Sequence, residues 1–181
     1  GMTAAGCSKN FLNENNPSNR TTTTYYVNAA GYEDLVRSCY PLLRDITQQR
    51  DLILNGTDIF MGSGHAPIVF IVPGAVGDAY DEYDVRLNSS LPEIQNLWTL
   101  LYREINRCNT AVSRKDNITD ISDSLKKVRL GEAVFLRSLC LFWAVQQWGD
   151  IPMPLQETTA ATQEVTKVDA KDVYAQIFKD L

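Results

Sequence analysis

Apolar residues recur every three to four positions in three long stretches of the chain, which predicts amphipathic helices. The first stretch follows Asn28, a residue type that caps helices. Its apolar stripe contains Leu35, Cys39, Leu42 and Ile46. Pro41 falls inside this stripe, so we expect the helix to kink or break there, because proline removes one backbone hydrogen bond.

The second stretch begins at residues 90–93, SLPE, which have the form of a capping box with proline in the first turn. The helix predicted after it carries one apolar face, made of Ile94, Leu97, Trp98, Leu101, Ile105, Cys108 and Val112. Because Trp98 lies on this face, we expect its ring to pack in the core.

The third stretch predicts a helix from about Ser122 to Trp148, ended by Gly149 and by the prolines that follow. Its apolar positions are Leu125, Val128, Leu136, Leu139 and Trp143. Only a short polar connection, residues 116–120, separates it from the second helix, so the two should be antiparallel neighbours.

With the chain reversal centred near residue 118, Trp98 should pack near Leu139, and Leu101 near Leu136. The same register places Cys108 about 15 Å and Cys140 about 33 Å from the reversal. Disulfides need Cα atoms within roughly 7 Å. We therefore expect no disulfide, with Cys39, Cys108 and Cys140 as buried thiols and Cys7 exposed.

Residues 51–90 show no sustained helical period and hold five of the ten glycines and the single histidine, His65. Such a long irregular segment is typical of a functional loop or of disorder. Residues 68–72, between Pro67 and Pro73, could form one short buried strand. The predicted fold class is therefore mostly all-α, with an irregular loop segment and at most a short strand.

No catalytic or cofactor-binding pattern stands out. His65 has no second histidine with which to build a metal centre or support a catalytic triad. The sequence Gly62-Ser-Gly64 lacks the lysine of a phosphate-binding loop. The acidic residues between positions 78 and 84 lack the spacing of a calcium loop, which favours a solvated acidic loop. We predict no enzyme, no cofactor and no metal.

The formal net charge of −5 argues against nucleic acid as a partner and against a basic membrane-surface helix. The longest apolar run is far too short to span a bilayer.

Residues 131–155, GEAVFLRSLCLFWAVQQWGDIPMPL, resemble the "EA-x-FLRA … WGDVP" block of SusD/RagB-like outer-membrane lipoproteins. Ser138 replaces an alanine of that pattern and Ile151 a valine. Residues 101–109, LYREINRCN, and residues 168–181, VDAKDVYAQIFKDL, resemble two further helices of the family. The resemblance covers nearly the whole chain but only the N-terminal third or so of such a protein, so we expect a fragment that is incomplete at its C-terminus.

This resemblance implies a tetratricopeptide-like helical repeat, although no strict 34-residue repeat is visible. It also implies a non-catalytic protein that captures an oligosaccharide or peptide and works with a SusC-like TonB-dependent transporter. We divide the chain into an extended N-terminal tether, residues 1–27, and a helical domain, residues 28–181. A free-standing helical-repeat adaptor for a protein partner is the alternative.

The residues before Cys7 resemble the end of a lipobox, which implies lipidation at Cys7 and a position on the outer membrane, at the cell surface. Ala4 replaces the usual leucine of that motif, and Ser8 and Lys9 stand where an acidic pair often follows. The membrane would then be reached only through this lipid.

Two tyrosines, Tyr80 and Tyr83, lie beside acidic residues in the irregular segment. Sugar binding uses aromatic faces for the apolar side of the ring and carboxylates for its hydroxyl groups. We therefore predict Tyr80 and Tyr83 as stacking residues and Asp81 as a hydroxyl contact, while two ordinary surface tyrosines remain the alternative.

Overall fold

The computed structural model describes residues 22–49, 52, 79–80, 83, 85–160 and 165–181. Its helices include α1 Thr22–Tyr25, α2 Ala29–Arg37, α3 Tyr40–Thr47, α4 Pro92–Arg114, α5 Asp123–Trp148 and α6 Ala170–Asp180. Over the described ranges, extended pairing is limited to one isolated antiparallel bridge between Ile151 and Val168. The predicted, mostly all-α fold class is confirmed. The strand predicted at residues 68–72, like His65, lies outside the described residues.

Local sequence signals determine where α2 and α3 begin. The Asn28 side chain accepts a hydrogen bond from the backbone N–H of Gly31 at 2.8 Å and so caps α2. Pro41 occupies the first turn of α3, where a missing N–H costs nothing. The predicted break therefore occurs, between the end of α2 at Arg37 and the start of α3 at Tyr40.

One helical turn, α1, lies inside the segment predicted as an extended tether. It packs so closely on α2 that a Cβ atom on Gly31 would lie 2.0 Å from the carbonyl oxygen of Tyr25. Only glycine fits at this contact. Residues 1–21 of the predicted tether, Cys7 included, lie outside the described part of the chain.

Helices α4 and α5 form the central hairpin. Ser122 caps α5 by accepting a hydrogen bond from the N–H of Leu125 at 3.3 Å, and Gly149 ends it with a φ of 68°. Both boundaries match the prediction. The predicted capping box at Ser90 is wrong, because the residue that precedes α4 is Leu91, which has no side chain able to cap. Ser90 instead donates its N–H to the side chain of Asn88.

The hairpin is antiparallel, as predicted, but its register differs. Trp98 meets Trp148, not Leu139, with ring centroids 5.0 Å apart. Asn109 likewise accepts a hydrogen bond from Arg137 at 3.2 Å. The chain does not turn at the end of α4 but continues through a 3-10 turn, Lys115–Asn117, before it reverses. The centre of the hairpin therefore lies several residues later than the predicted position near 118.

The main core lies between α3, α4, α5 and α6 and contains Leu42, Ile46, Leu101, Ile105, Leu141, Val145, Val173 and Ile177. A second cluster joins α2 to α4 and α5 through Tyr32, Leu35, Ala111, Ile118 and Ala133. Two residues assigned to the apolar stripe of α5, Leu125 and Val128, are exposed. The stripe is buried only from Ala133 onward, where α5 has neighbours on both sides.

The three described cysteines are free and buried, as predicted. Their positions nevertheless differ from the expected ones. The Sγ atoms of Cys39 and Cys108 lie within 4.8 Å of each other. Burial raises the pKa of Cys140, and the nearby Glu104 and Cys39 raise it further. The expected wide separation of Cys108 from Cys140 rested on the incorrect hairpin register.

The segment after α5 turns back along α4 and leads to α6, which packs on α5. Thus α4, α5 and α6 form three successive helices with short-range packing, as in a tetratricopeptide-like repeat. None of the described helices combines the length and apolarity that are needed to cross a membrane.

Candidate functional site

Three aromatic side chains meet where α5 ends beside the N-terminal half of α4. Trp98 and Tyr102, one turn apart on α4, have ring centroids 4.4 Å apart with a 30° angle between their planes. Trp148, the last residue of α5, meets the Trp98 ring edge to face at 89°. The stop at Gly149 thus leaves Trp148 level with Trp98, and all three rings are only partly buried.

The segment after α5 is fixed along α4 by side-chain hydrogen bonds to its carbonyl groups. Tyr102 donates its hydroxyl to the carbonyl oxygen of Pro152 at 2.7 Å, and Asn109 donates its amide to that of Pro154 at 2.8 Å. Burial raises the pKa of Tyr102, so its hydroxyl keeps its proton and its donor role. These bonds hold the aromatic rings against a rigid segment.

A cavity of about 780 Å³ opens between these rings and the segment, lined mainly by apolar atoms with several hydroxyl groups. Its walls include Trp98, Tyr102, Met153, Glu157, Thr158 and Thr166. The Glu157 carboxylate is held by Arg114 at 2.6 and 2.9 Å, which fixes its position at the rim. The cavity thus combines flat aromatic faces with fixed polar groups, the combination that binding sites for small polar molecules use.

Two smaller cavities continue on the other side of Trp98. The first, about 420 Å³, lies between Trp98 and Trp148, and the second, about 220 Å³, lies between Trp148 and Tyr83. Because neighbouring cavities share a tryptophan, the partly buried rings of Trp148, Trp98 and Tyr102 and the exposed ring of Tyr83 line adjoining cavities. We call these four residues the aromatic surface.

The predicted site residues are not equivalent in the structure. Tyr83 is 67% exposed and has a positive φ of 51°, whereas Tyr80 is only 6% exposed and belongs to the core. Both tyrosines line the cavity of about 220 Å³, but only Tyr83 offers a largely exposed ring there. Asp81 lies outside the described residues, as do Asp78, Glu82 and Asp84. Ligand contact by Tyr80, Asp81 or Tyr83 stays a prediction.

Sequence reasoning did not identify Trp98, Tyr102 and Trp148 as a site. Helical periodicity assigned Trp98 to the core, and no local signal relates it to Trp148, fifty positions later. The available signal was the four-residue spacing of Trp98 and Tyr102, which places two aromatic rings on one helix face.

Within the described ranges, one group of side chains is arranged so that it could hold a metal ion. It consists of Cys39, Glu104 and Cys108, all buried in the core rather than on the aromatic surface. Burial raises the pKa of Glu104 to about 7, while Cys108, Arg107 and Cys39 partly oppose that rise.

Comparison with known proteins places the chain in one group. Residues 10–181 match the family designated SusD-like_3, described as starch-binding and associating with the outer membrane. The fold is similar to the crystal structure of a SusD-like protein from Bacteroides fragilis NCTC 9343, with a TM-score of 0.62 and 20% sequence identity. That likeness covers 86% of this chain and 29% of the Bacteroides chain. None of the curated proteins matches the chain.

Proposed function

The chain belongs to the SusD-like family, and we propose that it serves in the capture of glycans at the outer membrane, without catalysis. The observation that carries this proposal is the match of residues 10–181 to a family described as starch-binding and associating with the outer membrane. The chain spans 29% of the length of the related Bacteroides protein.

The aromatic surface supports the proposal on chemical grounds. One face of a pyranose ring is rich in C–H groups and packs on aromatic rings, while its hydroxyl groups need fixed hydrogen-bonding partners. Trp98 and Tyr102 supply rings at the cavity of about 780 Å³, and Thr158 and Glu157 supply polar groups along its wall. Tyr83, which is the most exposed of the four rings, adds a residue of the irregular segment to this surface.

The finer parts of the proposal follow from the family resemblance. We propose that the protein works with a SusC-like TonB-dependent transporter and that a lipid on Cys7 anchors it at the cell surface. Tyr80, Asp81 and Tyr83 remain the proposed ligand contacts of the irregular segment, and Tyr83 is the more exposed of the two tyrosines.

A helical-repeat adaptor for a protein or peptide is the second candidate, and one observation favours it. An apolar cavity of about 270 Å³ lies between α5 and α6, lined by Phe135, Leu139, Phe142 and Phe178 among others. Phe178 itself is 76% exposed. Exposed apolar groups of this kind suit a protein surface better than a sugar.

Native gel electrophoresis in the presence of starch tests the first candidate directly. We expect the chain to migrate more slowly in a gel that contains starch than in a plain gel. Binding should be weak, in the millimolar range or worse, equivalent to about 4 kcal/mol. Tyr83→Ala should weaken retardation by about three- to tenfold, the effect of losing one stacking contact.

Phe178→Ala is the matched control, because it removes a ring of similar exposure from a different surface. We expect it to leave retardation unchanged, and circular dichroism should show that both variants fold. If starch and a wider polysaccharide panel all fail to retard the chain, the glycan proposal is contradicted. Retention on immobilised peptides that is lost with Phe178→Ala but not with Tyr83→Ala would favour the adaptor.

A further inference from the structure

Three buried side chains with metal-binding atoms converge in the core from two parts of the chain. Cys39 lies between α2 and α3, and Glu104 and Cys108 lie one turn apart on α4. One ligand atom of each lies within 4.8 Å of the other two. All three residues are fully buried. Glu104 and Cys108 are four residues apart on α4, so their side chains lie on the same face of the helix.

The hydrogen bonding of this cluster is incomplete. The Cys108 thiol contacts Glu104 Oε1 at 3.4 Å, and the Cys39 thiol contacts the carbonyl oxygen of Leu35 at 3.5 Å. The other carboxylate oxygen, Glu104 Oε2, is buried and has no hydrogen-bond partner among the described residues. This oxygen also lies 3.9 Å from Nη1 of Arg107, a distance too long for a hydrogen bond, so the cost of burying it is only partly offset.

We propose that Cys39, Glu104 and Cys108 form a binding site for one zinc ion. Thiolate sulfur and carboxylate oxygen are both established zinc ligands, and thiolates select thiophilic ions over calcium and magnesium. Three protein ligands leave the fourth tetrahedral position to a small ligand such as water, as in open zinc sites.

Charge favours a divalent over a monovalent thiophilic ion. Two thiolates and one carboxylate carry three negative charges, and Zn²⁺ leaves one of them uncompensated. The guanidinium of Arg107, with Nη1 3.9 Å from Glu104 Oε2, supplies the balancing charge. Cu⁺ would leave a second negative charge in the core, which is unfavourable at low dielectric.

Binding displaces protons, and this makes affinity depend on pH. Each thiol releases one proton when it becomes a ligand, and Glu104 releases one to the extent that it is protonated. Zinc should therefore bind more tightly as the pH rises. An ion held in this way joins the junction of α2 and α3 to α4, so it should also raise the unfolding temperature.

The test uses the 181-residue chain with Cys7→Ser, so that its remaining thiols are those of Cys39, Cys108 and Cys140. After reduction and equilibration with Zn²⁺, elemental analysis should find one zinc per chain. Replacement of zinc by Co²⁺ should give the near-ultraviolet thiolate-to-cobalt charge-transfer absorption of a site with sulfur ligands. In competition with a chromophoric chelator, Cys39→Ser and Cys108→Ser should each lower the affinity at least about 100-fold, and Glu104→Gln at least about tenfold.

Cys140→Ser is the matched control, because Cys140 is equally buried in the same core but does not belong to the group of three. It should keep zinc affinity within about threefold of the parent. The proposal is overturned if the reduced parent binds no zinc, or if its cobalt form lacks the charge-transfer absorption. Equal loss in Cys140→Ser and Cys39→Ser, with both variants folded, overturns the assignment of ligands. These readouts do not depend on glycan binding.

Discussion

Arg137 and Asp180 form a buried ion pair that joins the middle of α5 to the end of α6, with Nη2 2.5 Å from Oδ2. The pair does not stand alone. Arg137 also donates from Nη1 to Asn109 on α4, and Asp180 accepts a second hydrogen bond from Gln176. One guanidinium therefore connects all three helices of the repeat.

Removal of the carboxylate should be strongly destabilising. Asp180→Ala leaves the Arg137 charge buried beside only an amide oxygen, which should lower the free energy of unfolding by roughly 3–5 kcal/mol. Urea unfolding followed by circular dichroism measures this. Lys171→Ala is the control, since its contact with Asp169 is exposed and 4.0 Å long, and it should cost less than about 1 kcal/mol. Equal effects of the two substitutions would contradict the structural role of the buried pair.

The register of the central hairpin can be tested by a double-mutant cycle. Trp98→Ala and Trp148→Ala should show a coupling energy of about 0.5–1.5 kcal/mol, because their rings meet edge to face. Trp98→Ala and Leu139→Ala should be additive, since Leu139 instead lines the cavity beside α6. Strong coupling of Trp98 to Leu139 would restore the register first predicted from the sequence.

Local chemistry explains which helix boundaries could be predicted. The helix ends predicted correctly are those set by Asn28, Pro41, Ser122 and Gly149. Each of these residues acts on backbone groups a few positions away, so the helix end can be recognised in the sequence. The predicted capping box at Ser90 was wrong although it too is a local signal, because the N–H of Ser90 donates its hydrogen bond to the Asn88 side chain. The predicted hairpin register was wrong because the chain continues through a 3-10 turn after α4 before it reverses. The pattern of apolar residues does not show the length of that turn.

The candidate site was harder to predict because it depends on contacts between distant positions. Tyr80 and Tyr83 lie three residues apart, yet one is buried and the other exposed, a difference set by packing rather than by composition. Trp98 packs against the main core, as predicted, but it also lines two cavities beside the end of α5, which the helical period alone does not show. The proximity of Cys39 to Cys108 likewise requires the packing of α3 on α4.

Tyr32 offers a test of the energetics of a buried hydroxyl group. Its side chain is fully buried, and its hydroxyl has no hydrogen-bond partner within the described residues. Tyr32→Phe keeps the ring and removes this oxygen, so it should leave stability unchanged or raise it by about 1–2 kcal/mol. Tyr102→Phe is the opposite case, because it removes the bond to Pro152 and should cost about 1 kcal/mol. Denaturant unfolding of both variants decides the comparison, and a clear loss in Tyr32→Phe would reveal a hidden partner.

Glu104 predicts a specific pH dependence for the protein without metal. Burial raises its pKa from 4.5 to about 7, so the folded state holds this proton more tightly than the unfolded state does. Its contribution to stability is therefore fully present below about pH 4.5 and is lost as the pH rises to about 7, by roughly 3 kcal/mol. Arg107 Nη1 faces Glu104 at 3.9 Å, and Cys108 and Cys140, whose pKa values are raised, stay protonated over this range. Glu104→Gln lacks this titration.

The measurement is the free energy of unfolding in urea between pH 4.5 and 8, with a chelator present, for the parent and for Glu104→Gln. Subtraction of the two curves removes the titration of every other group that the proteins share. The parent should lose stability relative to the variant over this range, and the difference should level off above about pH 7, because Glu104 is then ionised in both the folded and the unfolded states. Parallel curves would mean that Glu104 has an ordinary pKa, as it would if water reached Oε2.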